Sequence, residues 1–88
     1  MSAKVEIYTS PFCGFCYRAK RLLEEKGVAY SEYDILTDGA KHDEMLARAH
    51  GRTTVPQIFI DGDHVGGCEE LYALERDGDL DPKLAGRT

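Results

Sequence analysis

Apolar and polar residues alternate over Lys4-Val5-Glu6-Ile7-Tyr8, the period-two signature of a short strand. Thr9-Ser10-Pro11-Phe12 interrupts it. From Cys13 the period changes. Cys16, Ala19, Leu22 and Leu23 recur at three-to-four spacing, while Arg18, Lys20, Arg21, Glu24 and Glu25 fall largely off that stripe. The pattern predicts an amphipathic helix with Lys26 in its last turn and Gly27 as its stop. Val28 to Ile35 reads as a second strand and Thr37-Asp38-Gly39 as a turn. Ala40 to His50 predicts a second helix, with Met45, Leu46 and Ala49 on one face and Gly51 behind it. Thr54-Val55-Pro56 leads into a strand over Gln57–Ile60. Asp61-Gly62 is a strong hairpin signal, which makes His64-Val65 the short partner strand. Gly66-Gly67 opens a third helix from Cys68 to about Asp77, with Leu71 and Leu74 inward, and Gly78 ends it. Leu80 and Leu84 predict a short amphipathic tail.

The order is β-α-β-α-β-β-α. Two strands joined through a helix should lie parallel with a right-handed crossover, and the last two strands form an antiparallel hairpin. An α/β fold with a four-stranded mixed sheet and helices on both faces accommodates both. At 88 residues, with no repeats or linkers, residues 1–88 are expected to be one domain.

Charge and hydropathy remove several classes of function. Lys plus Arg number 11 against 16 acidic residues, a net charge of -5 with no basic run. That argues against binding a nucleic-acid backbone. The longest apolar runs, such as Ile58-Phe59-Ile60, are three residues, far short of a membrane span. Met1-Ser2-Ala3-Lys4-Val5-Glu6 turns charged at once and lacks an apolar secretion segment. The expected compartment is the cytoplasm, where structural disulfides are rare.

The cysteines carry the candidate chemistry. There are three, Cys13, Cys16 and Cys68, too few and too odd for a disulfide framework. Cys13-Gly14-Phe15-Cys16 is a C-x-x-C spacing. It can be a redox dithiol, half of a metal site, or two unrelated buried thiols. Cys13 falls where the first strand ends and the first helix begins. A helix N-terminus carries partial positive charge and free N–H groups. A thiolate placed there is stabilised, and burying Cys13 at that mouth would waste the position. Cys16 is one turn further in, within reach of a disulfide after a small adjustment. Phe15 lies off the buried stripe and is expected on the surface. For zinc, Cys68 and one of His42, His50 or His64 would have to complete four ligands. Structural zinc sites usually show two tight ligand pairs, and this chain has one.

Two further elements stand beside the cysteines. Proline is disfavoured inside a central strand, but at a strand entrance it can be cis. A cis Val55–Pro56 bond would turn the Val55 N–H and C=O outward, where they can pair with an extended peptide. A plain loop proline is the alternative. Gly66-Gly67 offers backbone N–H groups at a helix start, which suit a carboxylate. Alone this signal is weak. Cys68 there is more simply an inert thiol, and Glu70 a helix-dipole residue.

With these elements in this order the chain resembles the glutaredoxins, of the thioredoxin fold, and most closely the small bacterial dithiol class. The matching text is Val5-Glu6-Ile7-Tyr8, Cys13-Gly14-Phe15-Cys16, Thr54-Val55-Pro56-Gln57-Ile58-Phe59-Ile60 and Gly66-Gly67-Cys68-Glu69-Glu70-Leu71. It spans nearly all of residues 4–84. The resemblance implies a glutathione-dependent thiol–disulfide oxidoreductase, with glutathione as reducing co-substrate and disulfide or glutathionylated proteins as partners. It implies Cys13 as nucleophile and Cys16 as resolving thiol. It places Thr54, Val55 and cis Pro56 along the cysteinyl part of glutathione, and Gly67, the Cys68 amide and the Glu69 side chain at its γ-glutamyl end. No resident metal is expected in that role, and the protein should work as a monomer.

Two positions depart from the family pattern. The residues between the cysteines are usually Pro-Tyr; here they are Gly14-Phe15. Gly14 is similar to the C-G-F-S text of the monothiol branch, whose members bridge a [2Fe–2S] cluster between two protomers. That allows an alternative in which Cys13 and glutathione hold such a cluster in a dimer. Relatives also often carry a lysine three residues before the first cysteine, where this chain has Ser10. Anchoring of the glutathione glycine carboxylate then falls to Arg52, Thr53 or a basic residue of the second helix.

Overall fold

The computed structural model describes residues 3–86. Met1 and Ser2 of the charged start lie outside them. The elements are β1 (Val5–Thr9), α1 (Gly14–Glu25), β2 (Ser31–Asp34), α2 (Gly39–Arg48), β3 (Gln57–Ile60), β4 (Asp63–Gly66), α3 (Cys68–Arg76) and α4 (Leu80–Leu84). The strands form one sheet in the order β2-β1-β3-β4. β1 and β2 are parallel, with Ile7 opposite Glu32. β1 and β3 are antiparallel, with Ile7 opposite Ile58. β3 and β4 close as an antiparallel hairpin with an irregularity between Ile58 and Phe59. The mixed α/β sheet expected from the sequence is the one observed.

Alternation sorts the side chains of the two central strands. Val5, Ile7, Ile58 and Ile60 meet Ala19, Leu22 and Leu23 of α1, Leu71 of α3 and Leu80 and Leu84 of α4 on one face. Tyr8 and Phe59 meet Met45 and Ala49 of α2 on the other. Helices cover both faces, so every residue of β1 and β3 is buried. The predicted tail is a real helix, α4, because Leu80 and Leu84 are spaced to reach the same core.

The second strand is shorter than its apolar text. Val28–Tyr30 stay out of the ladder. The Val28 N–H instead bonds to the Leu23 carbonyl at 3.4 Å, closing the end of α1. Val28 and Tyr30 still pack on the core. Their apolar character reflects that burial, and the chain uses them to climb from the helix end to the sheet edge. The second helix stops at Arg48 rather than His50, because His50 and Gly51 both take left-handed backbone conformations, φ 56° and 84°.

One polar cluster sits between α2 and the sheet. Glu6 is buried, and Arg48 reaches it through two nitrogens at 3.0 and 3.2 Å, while Tyr33 donates to it at 3.0 Å. Arg48 also donates to the Tyr8 hydroxyl at 2.7 Å and lies 4.0 Å over the Phe59 ring. The Tyr8 hydroxyl in turn donates to Glu44. A buried carboxylate is tolerable only when so paired. The Arg48 guanidinium holds Glu6 well below the usual carboxylate range.

Candidate active site

Strand β1 delivers the chain to Cys13, which caps α1 in an extended conformation. Its Sγ accepts a hydrogen bond from the Cys16 N–H at 3.1 Å, one of the donors that a helix start leaves free. The thiol lies 3.7 Å from the Val55 carbonyl oxygen, to which it donates. Cys13 is partly exposed, whereas Cys16 is 2% exposed. Burial first, and the neighbouring Cys13 second, push the Cys16 thiol up. All three cysteines are free thiols. The pair therefore joins an accessible sulfur, held by a backbone donor, to a buried one a turn away.

The Val55–Pro56 bond is cis, as its place before β3 suggested. The Val55 C=O faces Cys13, and its N–H has no backbone acceptor among the described residues. Gln57 supports this loop from below. It is fully buried, donates to the Thr54 carbonyl at 2.9 Å and hydroxyl at 3.3 Å, and meets His64 at 2.6 Å. Burial, aided by the charge of Arg52, holds His64 below its ordinary pKa.

A groove of about 620 Å³ runs beside the loop. Thr54, Val55 and Pro56 form one wall, and Gly67, Cys68 and Glu69 the other. The sheet order explains the meeting: β3 and β4 are neighbours, so the loop entering β3 and the turn leaving β4 fall at the same end. Cys68 is buried, which pushes its thiol up, while Glu69 is exposed.

Glu70 has a larger role than the helix dipole. Its carboxylate accepts the Gly67 N–H at 2.6 Å and pairs with Arg52 at 3.3 Å. The Gly67 N–H holds this carboxyl below its ordinary value, and Arg52 adds to that. The chain's own side chain thus occupies one of the backbone donors expected for a ligand. The signal was available as Gly67-x-x-Glu70, a capping-box spacing. Gln57 carried no comparable signal.

Of the residues considered for a carboxylate anchor, Arg52 lines the groove and Thr53 does not. The basic residues of α2 that the structure pairs are engaged elsewhere: Lys41 with Glu44, and Arg48 with Glu6. Among the described residues no group of three or more His, Cys, Asp or Glu side chains could hold a metal ion, so Cys68, His42, His50 and His64 do not complete a site with the dithiol. Among the same residues no helix is long and apolar enough to cross a membrane.

An open dithiol at a helix mouth, facing a cis-proline loop on a four-stranded mixed sheet, defines a thioredoxin-fold thiol–disulfide oxidoreductase. Residues 5–65 match the family model described as Glutaredoxin. Glutaredoxin 3 of Escherichia coli K12 is 57% identical over 82 residues, covering 93% of this chain and 98% of the relative. A probable glutaredoxin of Synechocystis is 52% identical over 84 residues, covering 96% of each. The solution structure of glutaredoxin from Brucella melitensis superposes with a TM-score of 0.84 at 48% identity, covering 99% of this chain and 95% of that one. The crystal structure of a buckwheat glutaredoxin–glutathione complex gives 0.84 at 32% identity, covering 96% and 78%. The chain belongs to the glutaredoxin family, the glutathione-dependent thiol–disulfide oxidoreductases.

Proposed function

We propose that Cys13 is the nucleophile and Cys16 the resolving thiol of this oxidoreductase, and that the groove binds glutathione. The observation that carries this is the Cys13 sulfur: reachable, bonded to a helix N–H, and set against the Val55 carbonyl at the groove. In the one-cysteine route the Cys13 thiolate attacks the glutathione sulfur of a protein–glutathione mixed disulfide. The protein thiolate leaves and takes a proton, and Cys13 carries glutathione. A second glutathione attacks that sulfur, giving oxidised glutathione and free Cys13. In the two-cysteine route Cys13 attacks a protein disulfide, Cys16 displaces the bound partner, and glutathione reduces the resulting Cys13–Cys16 disulfide.

Glutathione in the groove would pair its cysteinyl backbone with Val55 beside Pro56, with Thr54 at the rim. Its γ-glutamyl end would meet the Cys68 N–H and the Glu69 side chain next to Gly67, whose own N–H is held by Glu70. Arg52, freed from Glu70, would be a cation for a ligand carboxylate, in a groove that Arg18 and Arg76 also line. Protein partners would meet the apolar rim of Phe12, Phe15 and Tyr17, three aromatic residues exposed around the dithiol. Such clustered exposure marks a contact surface more often than chance. This activity suits the reducing cytoplasm and a single chain working alone.

The [2Fe–2S] reading rests on Gly14 alone. A Cβ at Gly14 would meet nothing within 4 Å, so its glycine is not explained by crowding. This chain would offer one cluster ligand, Cys13. Anaerobic reconstitution with iron, sulfide and glutathione should leave a colourless monomer; visible absorbance with a dimer would favour the cluster. The functional test is a glutathione-coupled assay on a mixed disulfide. Wild type and Cys16→Ser should turn over, and Cys13→Ser should not.

A further inference from the structure

The groove lies on one side of the dithiol. On the other side a second cavity, of about 580 Å³, reaches both cysteines and is lined by Thr9, Lys20, Glu32 and Asp34. Its polar residues come from three elements. Thr9 ends β1 and is 3% exposed. Glu32 sits on β2, and Lys20 on α1, one turn after Cys16. The Thr9 hydroxyl donates to Glu32 at 2.8 Å, and the Lys20 ammonium bonds the same carboxylate oxygen at 3.0 Å. Burial would raise the Glu32 carboxyl, but Lys20 and Thr9 outweigh it and hold it below its ordinary value. This ion pair lies outside the groove that would take glutathione.

Cys16 presents the problem that the pair can address. It must become a thiolate to attack, yet it is almost wholly buried, and desolvation disfavours its charged form. The groups facing it are Cys13, the backbone of Ser10, and, through the cavity, Lys20, Glu32 and Asp34. Cys13 and the carboxylates oppose a second negative charge. The Ser10 backbone and Lys20 favour it.

We propose that the Lys20–Glu32 pair, positioned by Thr9, sets how readily Cys16 becomes the attacking thiolate and so apportions turnover between the two-cysteine and one-cysteine routes. This rests on Cys16 being the resolving thiol. In the step affected, Cys16 gives its proton to solvent and its sulfur attacks the Cys13 sulfur of a mixed disulfide. The bond from Cys13 to the partner sulfur breaks and the Cys13–Cys16 bond forms. Cys16 is oxidised, and the partner sulfur is reduced and leaves as a thiolate that takes a proton from water. Lys20 and Glu32 touch no reacting atom; they are positioning residues acting through charge.

The two halves of the pair must act in opposite directions. Removing the ammonium leaves a bare carboxylate in the cavity that Cys16 lines, and removing the carboxylate's charge leaves a bare ammonium there. Across a partly hydrated gap, one charge changes the thiolate fraction roughly threefold. Intrinsic nucleophilicity returns part of that change, leaving about twofold in rate.

The experiment isolates the step. Protein carrying glutathione on Cys13 is prepared in acid and jumped to pH 7 without free thiol, and glutathione release is followed by quench and mass spectrometry. Lys20→Met should slow release about twofold and Glu32→Gln should speed it about twofold, on opposite sides of wild type. In a Cys16→Ser background, adding Lys20→Met should not alter removal of that glutathione by added glutathione. Variants that both slow release, or both leave it unmoved, overturn the proposal, since loosened packing moves both the same way. A Lys20 effect that persists without Cys16 also overturns it, assigning the pair to Cys13. If wild type releases no glutathione at all, Cys16 is not the resolving thiol and the functional reading fails first.

Discussion

Cys13 and Cys16 stand one helical turn apart and differ in almost every physical respect. Cys13 receives a backbone N–H and is partly open to solvent; Cys16 is buried and its thiol is pushed up. Nucleophilic attack needs a thiolate that can be reached, so the asymmetry supports the proposed order, Cys13 before Cys16. Iodoacetamide at neutral pH should modify Cys13 first, with Cys16 and Cys68 protected until the chain unfolds. Mapping the label by mass spectrometry checks this, and equal labelling of all three would refute it. Glu69 is exposed on the groove wall. Replacing it with Ala should raise KM for glutathione about fivefold, the worth of roughly one hydrogen bond, with little change in kcat. The cysteines and the surface position of Phe15 were legible because spacing and helical stripe determine them. The partner of Glu70 was legible only in part: the capping-box spacing points to Gly67, but Arg52 lies in another loop.

At the scale of elements, the start of α3 depends on a backbone that only glycine adopts easily. Gly66 has φ 116°, and a Cβ there would come 2.6 Å from Glu70 Oε1. Gly66→Ala should strain the turn and displace the carboxylate that caps Gly67. A loss of about 1–3 kcal/mol in urea unfolding is expected, with weaker glutathione binding. Helix α2 is tied to the sheet through Arg48 as well as through the apolar contacts of Met45 and Ala49. Arg48→Ala would leave Glu6 buried without its cation, at a cost of about 2–4 kcal/mol. A melt within error of wild type would show that Glu6 finds solvent instead. The strands and helices themselves were readable from periodicity. The lower end of β2 was not, since Val28 and Tyr30 are apolar for packing on the core rather than for pairing in the sheet.

At the scale of the whole molecule, several carboxyls titrate below their ordinary range in the folded state. The largest influence on Glu6 is its hydrogen bond to Arg48, and on Glu44 the Tyr8 hydroxyl. A carboxyl depressed by folding contributes stability above its unfolded pKa, near 4.5. That contribution is lost as pH falls through the lower, folded value. Thermal stability should therefore hold near neutral pH and drop as pH falls from about 5 toward 3. Arg48→Met should flatten that slope; an unchanged acid limb would assign it to other carboxyls.

The elements and their order, the lower end of β2 apart, and the positions of the C-x-x-C pair and of the proline before β3 were determined by the sequence alone, because each depends on neighbours within a turn or two of the chain. Tertiary structure decided which of them meet. The Cys13 thiol faces a carbonyl 42 residues away, Arg48 finds Glu6 across an equal separation, and Lys20 reaches Glu32 from a different element. Sheet register and the faces of the helices choose those partners. Both arise from packing the whole core at once, which no local pattern encodes.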